Sequence, residues 1–134
     1  MKKKDIKILL VDDEQDILEI VGYNLSQEGY QIITASNGKE AIAKAKKEHP
    51  QLIIMDVMMP EMDGMEACEN IRKIPELKNV IITFLTARSG DYSQVAGFDA
   101  GADDYITKPI KPKLLISKVK ALLRRLKEEE SSNS

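Results

Sequence analysis

The stretch LIIMDVMMPEMDG, Leu52–Gly64, shows the fold in miniature. Its opening residues, Leu52 to Met55, are continuously apolar, which marks a strand covered on both faces, as strands of parallel sheets are. Asp56 ends that run, and a Pro-containing connection leads to Asp63-Gly64, where a helix carrying Met65, Cys68 and Ile71 inward should begin. One strand–loop–helix unit is therefore legible.

The same alternation extends to both sides of it. Ile6–Val11, Gln31–Ala35, Val80–Leu85 and Tyr105–Thr107 read as further strands, the first and fourth in the chain nearly as apolar as Leu52–Met55. Between them, Ile17, Leu18, Val21 and Leu25 mark one helical stripe and Ala41, Ile42 and Ala45 another, with Gly29 and Pro50 placed where those helices should stop. A fourth helix is expected between Asp91 and Ala100 on the weak stripe of Val95 and Phe98. A fifth rests on Leu115, Val119, Leu122 and Leu126. Five βα units with right-handed crossovers favour an α/β fold built on a single doubly wound five-stranded parallel sheet.

Composition narrows the function. The chain has 134 residues, 43% of them hydrophobic, which fits one domain with a real core and leaves little room for a second. Its 20 Lys and Arg nearly balance 22 Asp and Glu, so no global basic field points to nucleic acid or a membrane. The single cysteine, Cys68, cannot form an internal disulfide and reads as a small buried thiol. No signal-peptide pattern and no membrane-length apolar run is present, so a cytoplasmic protein is expected. His49, beside Pro50, reads as a helix-end cap or surface residue.

In open parallel α/β sheets, ligands bind outside the carboxyl ends of the strands. The first strand ends in Asp12-Asp13, the third in Asp56, the fourth in Thr86, and the fifth runs into Lys108-Pro109. Taken singly, each has an ordinary reading as a turn, a cap or a surface charge. Together they place three carboxylates, a hydroxyl and an ammonium on one edge. Clustered carboxylates repel unless a cation joins them or a pKa rises, and an all-oxygen set selects a hard ion, Mg²⁺ above others. With Mg²⁺ present, an aspartate can attack a phosphoryl group, Lys108 can pair with a phosphoryl oxygen and Thr86 can donate to one.

At this point ILLVDDE, LIIMDVMMPEMDG, FLTA and GADDYITKP together resemble the receiver domains of two-component response regulators, over Lys7 to Arg125. The resemblance implies a flavodoxin/CheY-like (βα)5 fold with strand order 2-1-3-4-5. It further implies that Asp56 is the phosphoacceptor, that Asp12, Asp13, Asp56 and the backbone carbonyl of Met58 hold Mg²⁺, and that Thr86 and Lys108 contact the phosphoryl group. A cis Lys108-Pro109 bond is implied too, as is a switch in which Thr86 and Tyr105 move together. Met58 and Arg88, each two positions past a site residue, are expected to tune water access to the phosphoryl group. The domain is expected over residues 1–126, with 127–134 a flexible tail or the start of a linker.

GADDYITKP followed by KALLRR is similar to the OmpR/PhoB class. That class dimerises on phosphorylation through the fourth helix, fifth strand and fifth helix, which implies a homodimer face of Asp99, Asp103 and Asp104 against Lys118, Lys120 and Arg125. Gln94 and Leu114 depart from the class, which often places a facing Arg and Glu there. The implied partner is a sensor histidine kinase, with DNA reached only through an output domain absent from this chain. Such a domain is regulatory rather than an enzyme, though it takes part in its own phosphorylation and dephosphorylation. The alternative is a stand-alone receiver signalling by protein contact.

Other classes fare worse. A phosphatase resembling haloacid dehalogenases needs a second Asp two residues after the nucleophile, and Met58 stands there. A flavin or nucleotide binder needs free amides after the first strand, where this chain offers Asp12-Asp13-Glu14.

Overall fold

The computed structural model describes residues 2–87 and 99–132. Arg88, Gln94, Val95 and Phe98, and with them most of the helix expected between Asp91 and Ala100, lie outside the described residues. Strands β1 (Lys7–Val11), β2 (Gln31–Ala35), β3 (Leu52–Asp56), β4 (Ile81–Ala87) and β5 (Asp104–Lys108) form one sheet in the order β2-β1-β3-β4-β5. Every pairing is parallel. Helices α1 (Gln15–Gln27), α2 (Gly38–Glu48) and α3 (Gly64–Arg72) follow β1, β2 and β3, and a C-terminal helix spans Pro112–Ser132. Helical backbone thus continues past Leu126, into the segment read as a tail.

Strand alternation sorts the core into two halves. Ile8, Leu10, Leu52, Ile54, Ile81 and Leu85 pack with Leu18, Val21, Leu25, Leu115 and Val119, so one sheet face is covered by α1 and the C-terminal helix. Leu9, Val11, Ile53, Met55, Ile82 and Phe84 pack with Ala41, Ala45, Ala67, Cys68 and Ile71 on the other face. Both sides of β1, β3 and β4 are therefore apolar, which is why their sequences do not alternate. In α3, Ala67 rather than Met65 is fully buried, and Met65 lies half-buried at the margin.

Local chemistry sets the helix starts. Asn37 and Asp63 each precede a helix, and their side-chain oxygens accept the N–H groups of Glu40 and Glu66, both at 2.8 Å. Each such cap contributes about 1 kcal/mol. At the end of α2, His49 closes the helix in the left-handed conformation, its exposed ring outside the core.

Arg72, at the end of α3, fastens the amino-terminal edges of β4 and β5. Its guanidinium donates to the carbonyls of Gly101 (3.0 and 2.7 Å), Lys78 (3.1 Å) and Val80, and pairs with Asp103 Oδ2 at 3.0 Å. Asp103 Oδ2 accepts the Ile82 N–H at 2.9 Å, while the Asp103 N–H donates to the Ile82 carbonyl at 2.7 Å. This two-way clamp holds Thr83 opposite Asp104, and with it the register that ends with Thr86 opposite Thr107 and Ala87 opposite Lys108.

Candidate functional site

The strand order reverses direction between β1 and β3, and a crevice forms at such a switch point outside the carboxyl ends. Val11 is the register partner of Met55, so Asp12 and Asp56, the next residue of each chain segment, come side by side. Asp56 is itself the last residue of β3, opposite Leu85, and the Val57 N–H donates to the Leu85 carbonyl at 3.1 Å. Sheet bonding thus reaches one residue further than the apolar run suggests. Lys108, likewise inside β5, arrives from the far side of β4.

These residues meet. Asp12, Asp13 and Asp56 each offer a carboxylate oxygen, and the three oxygens lie within 4.8 Å of one another. The Lys108 ammonium sits 3.1 Å from Asp12 Oδ2, 3.6 Å from Asp56 Oδ2 and 4.0 Å from Glu14 Oε2. Asp12 is completely enclosed and Asp56 nearly so, whereas Asp13 faces solvent. Asp12 Oδ1 accepts the Glu14 N–H at 2.9 Å, and Asp56 Oδ1 accepts the Met58 N–H at 3.2 Å. Asp12 Oδ2 lies against the Lys108 ammonium and has no other partner among the described residues, so this buried oxygen can take a further ligand. An enclosed carboxylate oxygen of this kind, beside two more carboxylates, fits a hard cation such as Mg²⁺.

Electrostatics follow from the crowding. Burial, and next the Asp12 carboxylate, push the Asp56 carboxyl up to about 6, against the pull of Lys108 and the Met58 amide. Burial draws the Lys108 ammonium down, but the Asp12 and Asp56 carboxylates outweigh it and hold its pKa above the usual lysine value. Because the folded state binds the Asp56 proton more tightly than the unfolded chain, stability from this group is complete below the unfolded value of 3.8 and lost as pH rises through about 6. The loss is on the order of 3 kcal/mol. We therefore expect Asp56→Asn to raise the melting temperature at pH 7 in EDTA, with the gain vanishing near pH 4. Equal stabilities of the two proteins at pH 7 would show that Asp56 carries no such strain.

Thr86 is buried one residue before the end of β4, on the face shared by Ile82 and Phe84. Phe84 is the register partner of Tyr105, which packs against the same half of the core. Thr86 and Tyr105 therefore occupy one side of the sheet, near its carboxyl edge. The Lys108-Pro109 peptide is cis, as the resemblance implies. Met58 projects into solvent beside the site, 69% exposed.

Five of the six residues expected at a dimer face have partners within the chain. Asp103 pairs with Arg72 and, at 3.5 Å, with Arg125; Lys120 reaches Glu28 at the end of α1, 3.2 Å away; Lys118 donates to the Tyr105 carbonyl at 2.8 Å. Asp104 Oδ1 accepts the Tyr105 N–H, and Asp99 is exposed.

Two contributors escape the motif reading. Glu14 adds a carboxylate beside Lys108, and only its adjacency to Asp12-Asp13 hints at that. Gly64 lies against β3: a Cβ there would fall 2.3 Å from the Asp56 carbonyl oxygen. The Asp63-Gly64 pair marks a helix start in the sequence, but nothing local reveals that the helix begins on the backbone of Asp56.

Comparison with known proteins agrees with this geometry. Residues 8–120 match the family model described as response regulator receiver domain. The chain is 46% identical over 119 residues to the alkaline phosphatase synthesis transcriptional regulatory protein PhoP of Bacillus subtilis (strain 168), covering 89% of this chain and 49% of that protein. It is 42% identical over 128 residues to the probable transcriptional regulator ycf27 of Porphyridium aerugineum, covering 96% and 52%. The chain thus spans about half the length of the curated relatives it matches. Among solved structures, chemotaxis protein CheY4 of Vibrio cholerae superposes with a TM-score of 0.84 at 34% identity, over 87% of this chain and 98% of that one.

Proposed function

The chain belongs to the response regulator receiver domain family, and from that premise we propose that it is a phosphorylation-controlled switch with Asp56 as phosphoacceptor. The observation that carries this reading is the meeting of Asp12, Asp13, Asp56 and Lys108 at the carboxyl edge of the sheet.

In this reading an Asp56 carboxylate oxygen attacks the phosphorus of a phosphohistidine on a sensor kinase. The new O–P bond forms as the N–P bond breaks, and the kinase imidazole leaves with the electron pair. Asp12, Asp13, Asp56 and the Met58 carbonyl would hold Mg²⁺, whose charge would offset that of the carboxylates and of the incoming phosphoryl oxygens. Asp56 must be ionised to attack, and Lys108 supplies the positive charge that favours this form. Once the phosphoryl group is in place, Lys108 pairs with one of its oxygens, and the Thr86 hydroxyl donates to another.

Thr86 and Tyr105 then shift together, and the arrangement they favour is more populated because phosphorylation adds contacts to it alone. The output is dimerisation through the β5 and C-terminal-helix edge. Asp99, Asp103 and Asp104 face Lys118, Lys120 and Arg125 of a second copy there, at the expense of the in-chain pairs described above. DNA is reached through a segment outside this chain, in keeping with the transcriptional regulators among its relatives; signalling by protein contact alone is the alternative. Residues 1–126 form the receiver unit, acting in the cytoplasm. Among the described residues no helix is long and apolar enough to cross a membrane.

Incubation with acetyl phosphate, followed by weighing the intact protein, tests the reading. One phosphoryl adduct is expected with Mg²⁺, none with EDTA and none in Asp56→Ala. An adduct that survives in Asp56→Ala would refute the assignment.

A further inference from the structure

We propose that Lys118 is a positioning residue for the Tyr105 switch, holding the Tyr105 ring in the arrangement seen here. The inference rests on the reading of Tyr105 as a switch residue. Lys118 belongs to the C-terminal helix on the flank of its buried stripe, between Leu115 and Val119 on one side and β5 on the other. A lysine there could extend freely into water. Instead it is half-buried, its ammonium donating to the Tyr105 backbone carbonyl at 2.8 Å and lying 5.4 Å from the centre of the Tyr105 ring.

The two contacts differ in kind. A bond to the carbonyl survives any rotation of the side chain, because it concerns only the strand. The contact with the ring exists in one arrangement and is lost when the ring moves, so it acts on the switch equilibrium itself. The carbonyl bond serves to hold the ammonium where the ring can meet it. Lys118 therefore opposes any displacement of Tyr105, and the phosphoryl group must outweigh it. Removing the ammonium should make the displaced state more populated and the site quicker to accept a phosphoryl group.

Fluorotyrosine incorporated at the four tyrosines gives a direct probe, with the Tyr105 signal identified by its loss in Tyr105→Phe. In the wild type with Mg²⁺, beryllofluoride mimics the phosphoryl group and should shift that fluorine resonance. Lys118→Met keeps the apolar stem without donor or charge. Without beryllofluoride, its Tyr105 signal should lie part-way along the same shift, and acetyl phosphate should label it about fivefold faster. Lys118→Arg, which restores a cation over the ring, should return both readings to wild type. A wild-type shift with beryllofluoride combined with an unmoved signal in Lys118→Met would overturn the role of Lys118 and leave the switch intact. No wild-type shift at all would overturn the switch, and this inference with it.

Discussion

Gly64→Ala is expected to destabilise the protein by about 3 kcal/mol, near the upper end for an added methyl in a packed interior. The new Cβ would lie 2.3 Å from the Asp56 carbonyl oxygen, 3.0 Å from the Asp56 carbonyl carbon and 3.0 Å from Val57 Cα. All of these are backbone atoms, so no side chain can rotate away. Either α3 lifts from the sheet, breaking the 2.9 Å bond from the Gly64 N–H to the Val57 carbonyl, or the end of β3 is pushed out of line. The second route moves Asp56 itself. Urea unfolding should show the loss, and the fraction labelled by acetyl phosphate under native conditions should fall with it. Wild-type stability in Gly64→Ala would mean that the helix start and the strand end are not coupled as described.

Lys108→Met should be the most damaging change within the site when no divalent cation is present. It leaves Asp12 and Asp56, whose side chains are only 1% and 6% exposed, without their shared positive charge. Stranding buried carboxylates costs several kcal/mol, and about 3 kcal/mol is expected at pH 7 in EDTA. The sign of the pH dependence follows from Asp56. Its carboxyl already rests near 6 with Lys108 beside it, so loss of that cation raises it further, and the penalty should shrink as acid protonates it. Mg²⁺ should also restore much of the lost stability, since the dication takes over the role of the ammonium. Urea unfolding at pH 7 and pH 5, with EDTA or with Mg²⁺, measures both effects. A penalty independent of pH and Mg²⁺ would mean that Lys108 contributes packing rather than charge.

These two residues show where sequence reasoning succeeds and where it stops. Lys108 is legible because a doubly wound sheet brings all its strand ends to one edge, so linear order is enough to place it with Asp12, Asp13 and Asp56. The strands are legible because two-sided burial leaves Ile8 to Val11 and Leu52 to Met55 without polar interruption. One helix start can be read as well, at Asp63-Gly64, whereas the cap at Asn37 emerges only from the structure. Gly64 belongs to a different category: its role depends on how closely a helix approaches a strand, a distance that no local pattern encodes. Long cationic side chains are the other difficulty. Lys118, Lys120 and Arg125 form one basic run in sequence, yet they turn to Tyr105, Glu28 and Asp103 respectively. Helical spacing fixes the direction of each Cβ, but the flexible stem beyond it chooses its partner from whatever the tertiary fold brings near. Arg72 is the same case, serving carbonyls from two segments that meet only after the sheet has formed.

The central claim is that a phosphoryl group resides on Asp56 and on no other carboxylate of the cluster. Borohydride reduces an aspartyl phosphate to homoserine, so treating the acetyl phosphate-labelled protein with borohydride and sequencing its peptides by mass spectrometry locates the group chemically. We predict homoserine at position 56 alone, in an amount that depends on Mg²⁺. Homoserine at Asp12 or Asp13, or a phosphoryl adduct that yields none at position 56, would contradict the account.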